Sequence, residues 1–250
     1  HNLHFLAACA ALEGNGKKSL RAARYMAEHV VNKELMRLPD LATLQHYLSI
    51  PWFIQVKFAD WDEILKEPMP AADLKYPTSV LHYARGMAFS GKGNFVAAEK
   101  ELSSVKMLEK DTSLANMTIW GFNKMTDVVR IARLVLEGDL AWRQKDFVRS
   151  EKLLKEAAAF EDQLLYQEPP DWFFSVRHLL GHVQIQAGKF AEAEATYRQD
   201  LKKWKENGWA LKGLHLSLEK QGKTAEAKAV KARFDEAWQH AAEPLTASVL

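Results

Sequence analysis

Apolar and small residues recur along this chain at intervals of three and four. FVAAEKELSSVKML (95–108), VVRIARLVLEGDLAW (128–142), AEAEATYRQDLKKW (191–204) and AEAKAVKARFDEAW (225–238) place them at i, i+3, i+4 and i+7, one stripe on one helical face. β-branched residues are scattered and do not alternate with polar ones, so the pattern predicts an all-α protein. The stripes are interrupted at EGNGKK, SGKGNF, QEPPDW, QAGKF, KENGW and KQGKT, where glycine and proline end one helix and start the next. Asp40 before LATL and Asp171 after Pro169-Pro170 are expected to cap helix starts.

The interruptions share a frame. Gly86, Phe89, Gly93, Phe95, Ala98 and Leu102 put a small residue in a first helix, a glycine at the turn, an aromatic just after it, then a small and a large residue in a second helix. The frame returns at Gly138, Ala141, Phe147, Ser150 and Leu154, and again at Gly181, Gly188, Phe190, Ala193 and Tyr197. A weaker copy runs through His215, Leu218, Gly222, Thr224 and Ala227, and looser ones are anchored at Ala7 and Trp52. Pro51 beside Trp52 predicts a kinked or spread pair there.

This frame resembles the tetratricopeptide repeat, in which small residues let paired helices approach and large ones fill the gap. The intervals from Trp52 to Gly86 and from Gly181 to His215 equal that family's 34 residues; the others are longer, notably across KDTSLANMTIWGFNKM. The resemblance implies one domain over 1–250, a right-handed α-solenoid of about six helix-turn-helix pairs. Irregular pairs would span 1–70, regular repeats 76–240 and a tail 241–250. HNLHFLAA, EPPDWFFSVRHLLG, ENGWALKGLHLSLEKQGKTAEA and AWQHAAEPLTASVL further resemble the C-terminal half of long bacterial tetratricopeptide proteins. By that likeness His1 is expected to continue from upstream repeats of a parent chain. Lys205 stands where the likeness usually has proline, which predicts that the helix before it continues.

Six pairs imply less than one superhelical turn and hence an open concave groove, lined by the first helix of each pair. In the family the exposed wall positions lie three residues before and one after the small anchor. Carried over, they are His178 and His182, Val135 and Asp139, Tyr83 and Met87, and His4 and Ala8. Six before an anchor come His1, His46 and Trp209, and Lys212 precedes His215 by three. Trp142, Trp172 and Trp209 are candidates for an aromatic floor.

Composition adds limits. Lys plus Arg number 34 against 32 Asp plus Glu, interspersed, for a net +2, which supplies no field for nucleic acid. No apolar run reaches a membrane span and no signal peptide is visible, which leaves a soluble protein of cytoplasmic, periplasmic or secreted location. Cys9, the one cysteine, is expected to be a buried small hydrophobe.

Two functions fit. One is a non-enzymatic scaffold without cofactor, binding a peptide, a protein partner or its own tail in the groove. Tyr83, Met87, Trp142 and Trp209 would anchor the ligand, and His4, His46, His178, His182, Asp139 and Lys212 would select it. The alternative is a metal-binding protein or metal-dependent enzyme. There His178 and His182, one helical turn apart, would hold a Zn, Cu or Fe ion with Asp139, and His1, His4 and His46 would form a second set. No HExxH, Walker, GxGxxG or GxSxG motif occurs.

Overall fold

The computed structural model describes residues 1–250, and they are almost wholly helical. In chain order the helices are α1 (Asn2–Leu12), α2 (Gly16–Tyr25), α3 (Thr43–Lys57), α4 (Trp61–Lys66), α5 (Lys75–Gly91), α6 (Phe95–Glu109) and α7 (Thr112–Ala115). After them come α8 (Met125–Arg143), α9 (Phe147–Gln163), α10 (Arg177–Gln186), α11 (Phe190–Lys203), α12 (Gly208–Lys220) and α13 (Thr224–Ala237). The insertion between α6 and α8 folds as the single turn α7 and a small antiparallel hairpin, β1 (Thr118–Ile119) on β2 (Asn123–Lys124), with Thr118 opposite Lys124.

Six helix pairs turn in the same way. Between α1 and α2, α3 and α4, α5 and α6, α8 and α9, α10 and α11, and α12 and α13, one residue takes a positive φ: Gly14, Ala59, Gly93, Lys145, Gly188 or Gly222. The following N–H then bonds a carbonyl five residues back: Asn15 to Ala10, Asp60 to Gln55, Asn94 to Phe89, Asp146 to Ala141, Lys189 to Gln184 and Lys223 to Leu218, at 2.8–3.0 Å. This closure satisfies helix-end carbonyls that would otherwise be orphaned. Ala59 and Lys145 adopt the left-handed conformation with a Cβ in place, at a cost of about 1–2 kcal/mol each.

The residue after the left-handed one also starts the next helix. Asn15 accepts from the Lys18 N–H, Asn94 from Ala97 and Asp146 from Arg149. The expected caps lie elsewhere. Asp40 sits inside a 3-10 turn, Pro39–Leu41, and α3 starts at Thr43 without a side-chain cap. Asp171 is buried and accepts from the Asn123 amide, while α10 begins only at Arg177. Helix α3 runs unbroken through Pro51, and its partner α4 is only 6 residues long. Lys205 does not extend a helix, since α11 ends at Lys203 and Glu206 turns with φ 54°.

Small and large residues interlock between helices. A Cβ on Gly138 would lie 2.8 Å from Leu154, and the Tyr197 ring fills the space over both Gly181 and Gly213. The space over Gly86 is taken by Leu136 of the following pair, not by Leu102. Cys9 is exposed rather than buried, because α1 turns Ala7, Ala10 and Ala11 inward instead.

The two ends of the chain meet. Trp209 on α12 donates its indole N–H to the Ala11 carbonyl at 3.2 Å, and the Glu243 N–H donates to the Gly14 carbonyl at 3.2 Å. Trp238 packs against both Gly14 and Gly208, and Phe58 meets the Trp209 ring edge-on at 5.6 Å. The last pair therefore closes on the first. The hollow between the first helices of the pairs is not the open groove expected from the sequence.

Candidate functional site

What fills the hollow is the connection from α9 to α10. Its three consecutive aromatics enter from inside: Trp172 lies against Phe53 and Tyr83 at 5.5 and 5.7 Å, and Phe173 stacks on His4 at 5.9 Å. Phe174 lies 5.2 Å from the Lys57 amine. Burial of Trp172 and Phe173 supplies the apolar gain, about 1.5–3 kcal/mol for a large side chain, that holds this irregular segment in place. A cavity of about 710 Å³, counting its open mouth, remains beside the plug. Its walls come from α3, α5, α8 and α10, and the chain's own Val249 and Leu250 lie along it.

At one end of this cavity four polar side chains converge. Lys57 Nζ is 2.9 Å from His178 Nδ1, and His178 Nε2 is 2.9 Å from the Asn207 amide nitrogen and 3.3 Å from Asp200 Oδ2. The Asn207 amide also lies 3.3 Å from Asp200 Oδ2, while its oxygen caps α12 by accepting from the Trp209 N–H. Lys57 stands 3.7 Å over the Trp209 ring. Although part of the side chain remains accessible, the burial of its amine holds the pKa well below the ordinary lysine range, with Asp200 opposing the shift. His178 is likewise lowered, by burial first.

The tail closes the arrangement. Ser248 is buried, donates to the His178 carbonyl at 2.8 Å and shares a 2.7 Å hydrogen bond with the Tyr197 hydroxyl. Leu245 is buried as well, so an otherwise irregular segment is fixed at two points.

The sequence-derived wall residues are mostly interior. His46 is fully buried, with Nδ1 2.8 Å from the Tyr76 hydroxyl, and His4 is wedged between Tyr47 and Phe173. Burial lowers both histidines to about 3, His46 adding to the effect on His4. Tyr83, Met87, Asp139, Trp142 and His178 do border the cavity. His182 meets the Trp142 ring edge-on at 4.9 Å, and burial with the nearby Arg143 cation lowers it to about 4. Trp209 is fully buried at the junction of the chain ends, and Lys212 points to the Phe234 ring on α13, not into the hollow.

Neither metal set is assembled. His178 uses both ring nitrogens on Lys57 and Asn207, and Asp139 Oδ2 accepts from Ser90 at 2.6 Å and Arg143 at 3.0 Å. His1 is exposed with its ring against Phe5, whereas His4 and His46 are buried. No group of three His, Cys, Asp or Glu side chains comes together around one point.

Sequence reasoning passed over Lys57, Asp200 and Asn207. A signal was present for the first: Lys57 is the only charged side chain in TLQHYLSIPWFIQVK, the apolar run that forms α3. Asp200 reads as one more acid on an amphipathic helix, and only the fold brings it to Lys57. No helix is long and apolar enough to cross a membrane. No protein-family model, no curated protein and no solved structure matches the chain.

Proposed function

We propose that this chain is a non-enzymatic, tetratricopeptide-like scaffold that holds an extended peptide in the cavity beside its aromatic plug. The observation that carries the reading is the seat of the chain's own tail. Ser248 is fixed by a main-chain carbonyl of α10 and a hydroxyl of α11, and Val249 and Leu250 run on along the cavity. Backbone and hydroxyl contacts supply register, and apolar walls supply area, the division of labour found in peptide grooves. Six alike turns support stacking of helix pairs into a solenoid, whose rigidity would keep the ordering cost of binding low. The peptide favoured by this geometry has a small hydroxyl residue followed by aliphatic ones. The alternative metal centre has no observation in its favour, because His178, His182 and Asp139 are turned to other partners.

Deleting 244–250 and titrating a labelled PLTASVL peptide by fluorescence anisotropy tests the reading. The shortened chain is expected to bind, and the full chain to bind at least about tenfold more weakly, since a tethered competitor acts at roughly millimolar effective concentration. Equal affinities, or none in either chain, would sink the proposal.

A further inference from the structure

A second chemistry lies beside the tail. We propose that Lys57 presents an uncharged primary amine to the cavity and captures aromatic aldehydes there as an imine.

The charge state follows from hydrogen-bond bookkeeping. The Asn207 amide cannot be reversed without losing its cap, because its oxygen accepts from the Trp209 N–H at 3.1 Å. Its two amide hydrogens therefore face two acceptors, His178 Nε2 at 2.9 Å and Asp200 Oδ2 at 3.3 Å. An imidazole that accepts at Nε2 and is neutral carries its proton on Nδ1. That N–H points at Lys57 Nζ, 2.9 Å away, and is satisfied only if the amine offers a lone pair. The opposite assignment, an ammonium donating to Nδ1, would send the Nε2 hydrogen to Asp200 Oδ2 at the longer 3.3 Å while the Asn207 amide nitrogen, itself a donor, stands 2.9 Å from the same atom. An ammonium would gain from the Trp209 face at 3.7 Å and from Asp200, the one carboxylate on this side. Arg143 and Asp139 on the opposite wall hold each other at 3.0 Å. Burial moves the amine in the same direction as the hydrogen-bond pattern.

The cavity defines the class of carbonyl compound. Trp61, Tyr83, Trp142 and Phe174 offer flat walls. In the capture step the amine gives up the His178 Nδ1–H hydrogen bond, and its one lone pair turns to the carbonyl carbon and forms the C–N bond. Both amine hydrogens leave with the carbonyl oxygen as water, and C=N replaces C=O with no change of oxidation state. His178 acts as a positioning residue whose Nδ1–H occupies the lone pair and keeps the amine uncharged until the aldehyde replaces it.

The test treats the full chain at pH 7 with 4-hydroxybenzaldehyde and cyanoborohydride, then maps the reduced adducts by peptide mass spectrometry. An ordinary lysine, with a pKa of about 10.4, is almost wholly protonated at that pH, so Lys57 is expected to be modified more than about tenfold faster than exposed lysines. Lys57→Met should abolish that fast site. Adducts confined to exposed lysines such as Lys17 and Lys100, with Lys57 unmodified, would overturn the proposal. The mapping uses the unaltered chain, so the result does not depend on any variant folding, and it stands or falls apart from peptide binding.

Discussion

His46 and His178 occupy the same kind of place, each on the first helix of a pair with its ring turned into the hollow, yet they live in different chemistry. His46, with His4, sits in an aromatic box of Tyr47, Phe53, Tyr76 and Phe173, where the Nε2 atoms of both histidines have no partner. His178 has a partner on each nitrogen and borders a cavity. The difference is made by a third party, the 172–174 plug, which seals the first site and leaves the second open. Position on a helix face thus selects which side chains meet the interior. What the interior does with them is decided by the segment that fills it.

The sharpest way to separate the two sites is acid. His4 and His46 have folded pKa values near 3, depressed by burial from an unfolded value of about 6.5, so the unfolded chain binds more protons between these limits. Their contribution is therefore complete above pH 6.5 and is lost as pH falls toward 3. Two such groups give a slope of up to about 2.7 kcal/mol per pH unit, the largest effect expected here. Urea midpoints measured from pH 7 to pH 4 should fall more steeply in the native protein than in His46→Phe, because the opposing slope of the buried Glu161 and Asp171 carboxyls, raised to about 8 and about 6, is common to both. An unchanged slope in that variant would mean that the sealed box does not govern acid stability.

How much of this was legible beforehand divides along the same line. Helical pairs were readable because their cause is local: glycine at Gly93, Gly188 and Gly222 supplies the left-handed residue, and small residues such as Gly138 and Gly181 mark close approach. Lys145 and Ala59 were invisible as turn residues, since nothing in their type favours a positive φ. The plug was opaque for a different reason. QEPPDWFF reads as an interruption, and three aromatics in a break carry no period to say where they go. Its docking depends on surfaces on α1, α3 and α5, with His4, Phe53 and Tyr83 lying 169, 119 and 89 residues before their partners, and closure of the chain ends through Trp209 and Ala11 is more distant still. That is why side chains assigned to an open wall, including His4, His46 and Trp209, are instead in the core.

The open site, unlike the sealed one, also responds to loss of a partner. Ser248→Ala removes the hydroxyl shared between the His178 carbonyl and Tyr197, and leaves the Tyr197 hydroxyl buried without a partner. A lost hydrogen bond with one buried orphan costs about 1–3 kcal/mol. Because the tail is attached at its other end, the cost should appear mainly as tail release, seen as faster proteolysis at 241–250 with little change in the global midpoint. A full-size drop in the global midpoint would show that the tail is part of the core rather than a seated ligand.

The smallest effect has the opposite sign and completes the contrast. His4 Nε2 is buried and unbonded, so the folded protein already bears the desolvation cost of that atom. His4→Phe keeps a flat ring against Phe173 and Tyr47 and withdraws the orphan nitrogen. At pH 7, where histidine is neutral in both states, the change is expected to fall between neutral and about 1 kcal/mol stabilising, limited by the slightly larger ring in a tight box. Removing a polar atom from the open site weakens it, whereas removing one from the sealed site does not, because only the first had been exchanged for another bond when water was expelled. A destabilisation above about 1 kcal/mol in His4→Phe, measured by urea unfolding at pH 7, would indicate a partner for that nitrogen and dissolve the distinction between the two sites.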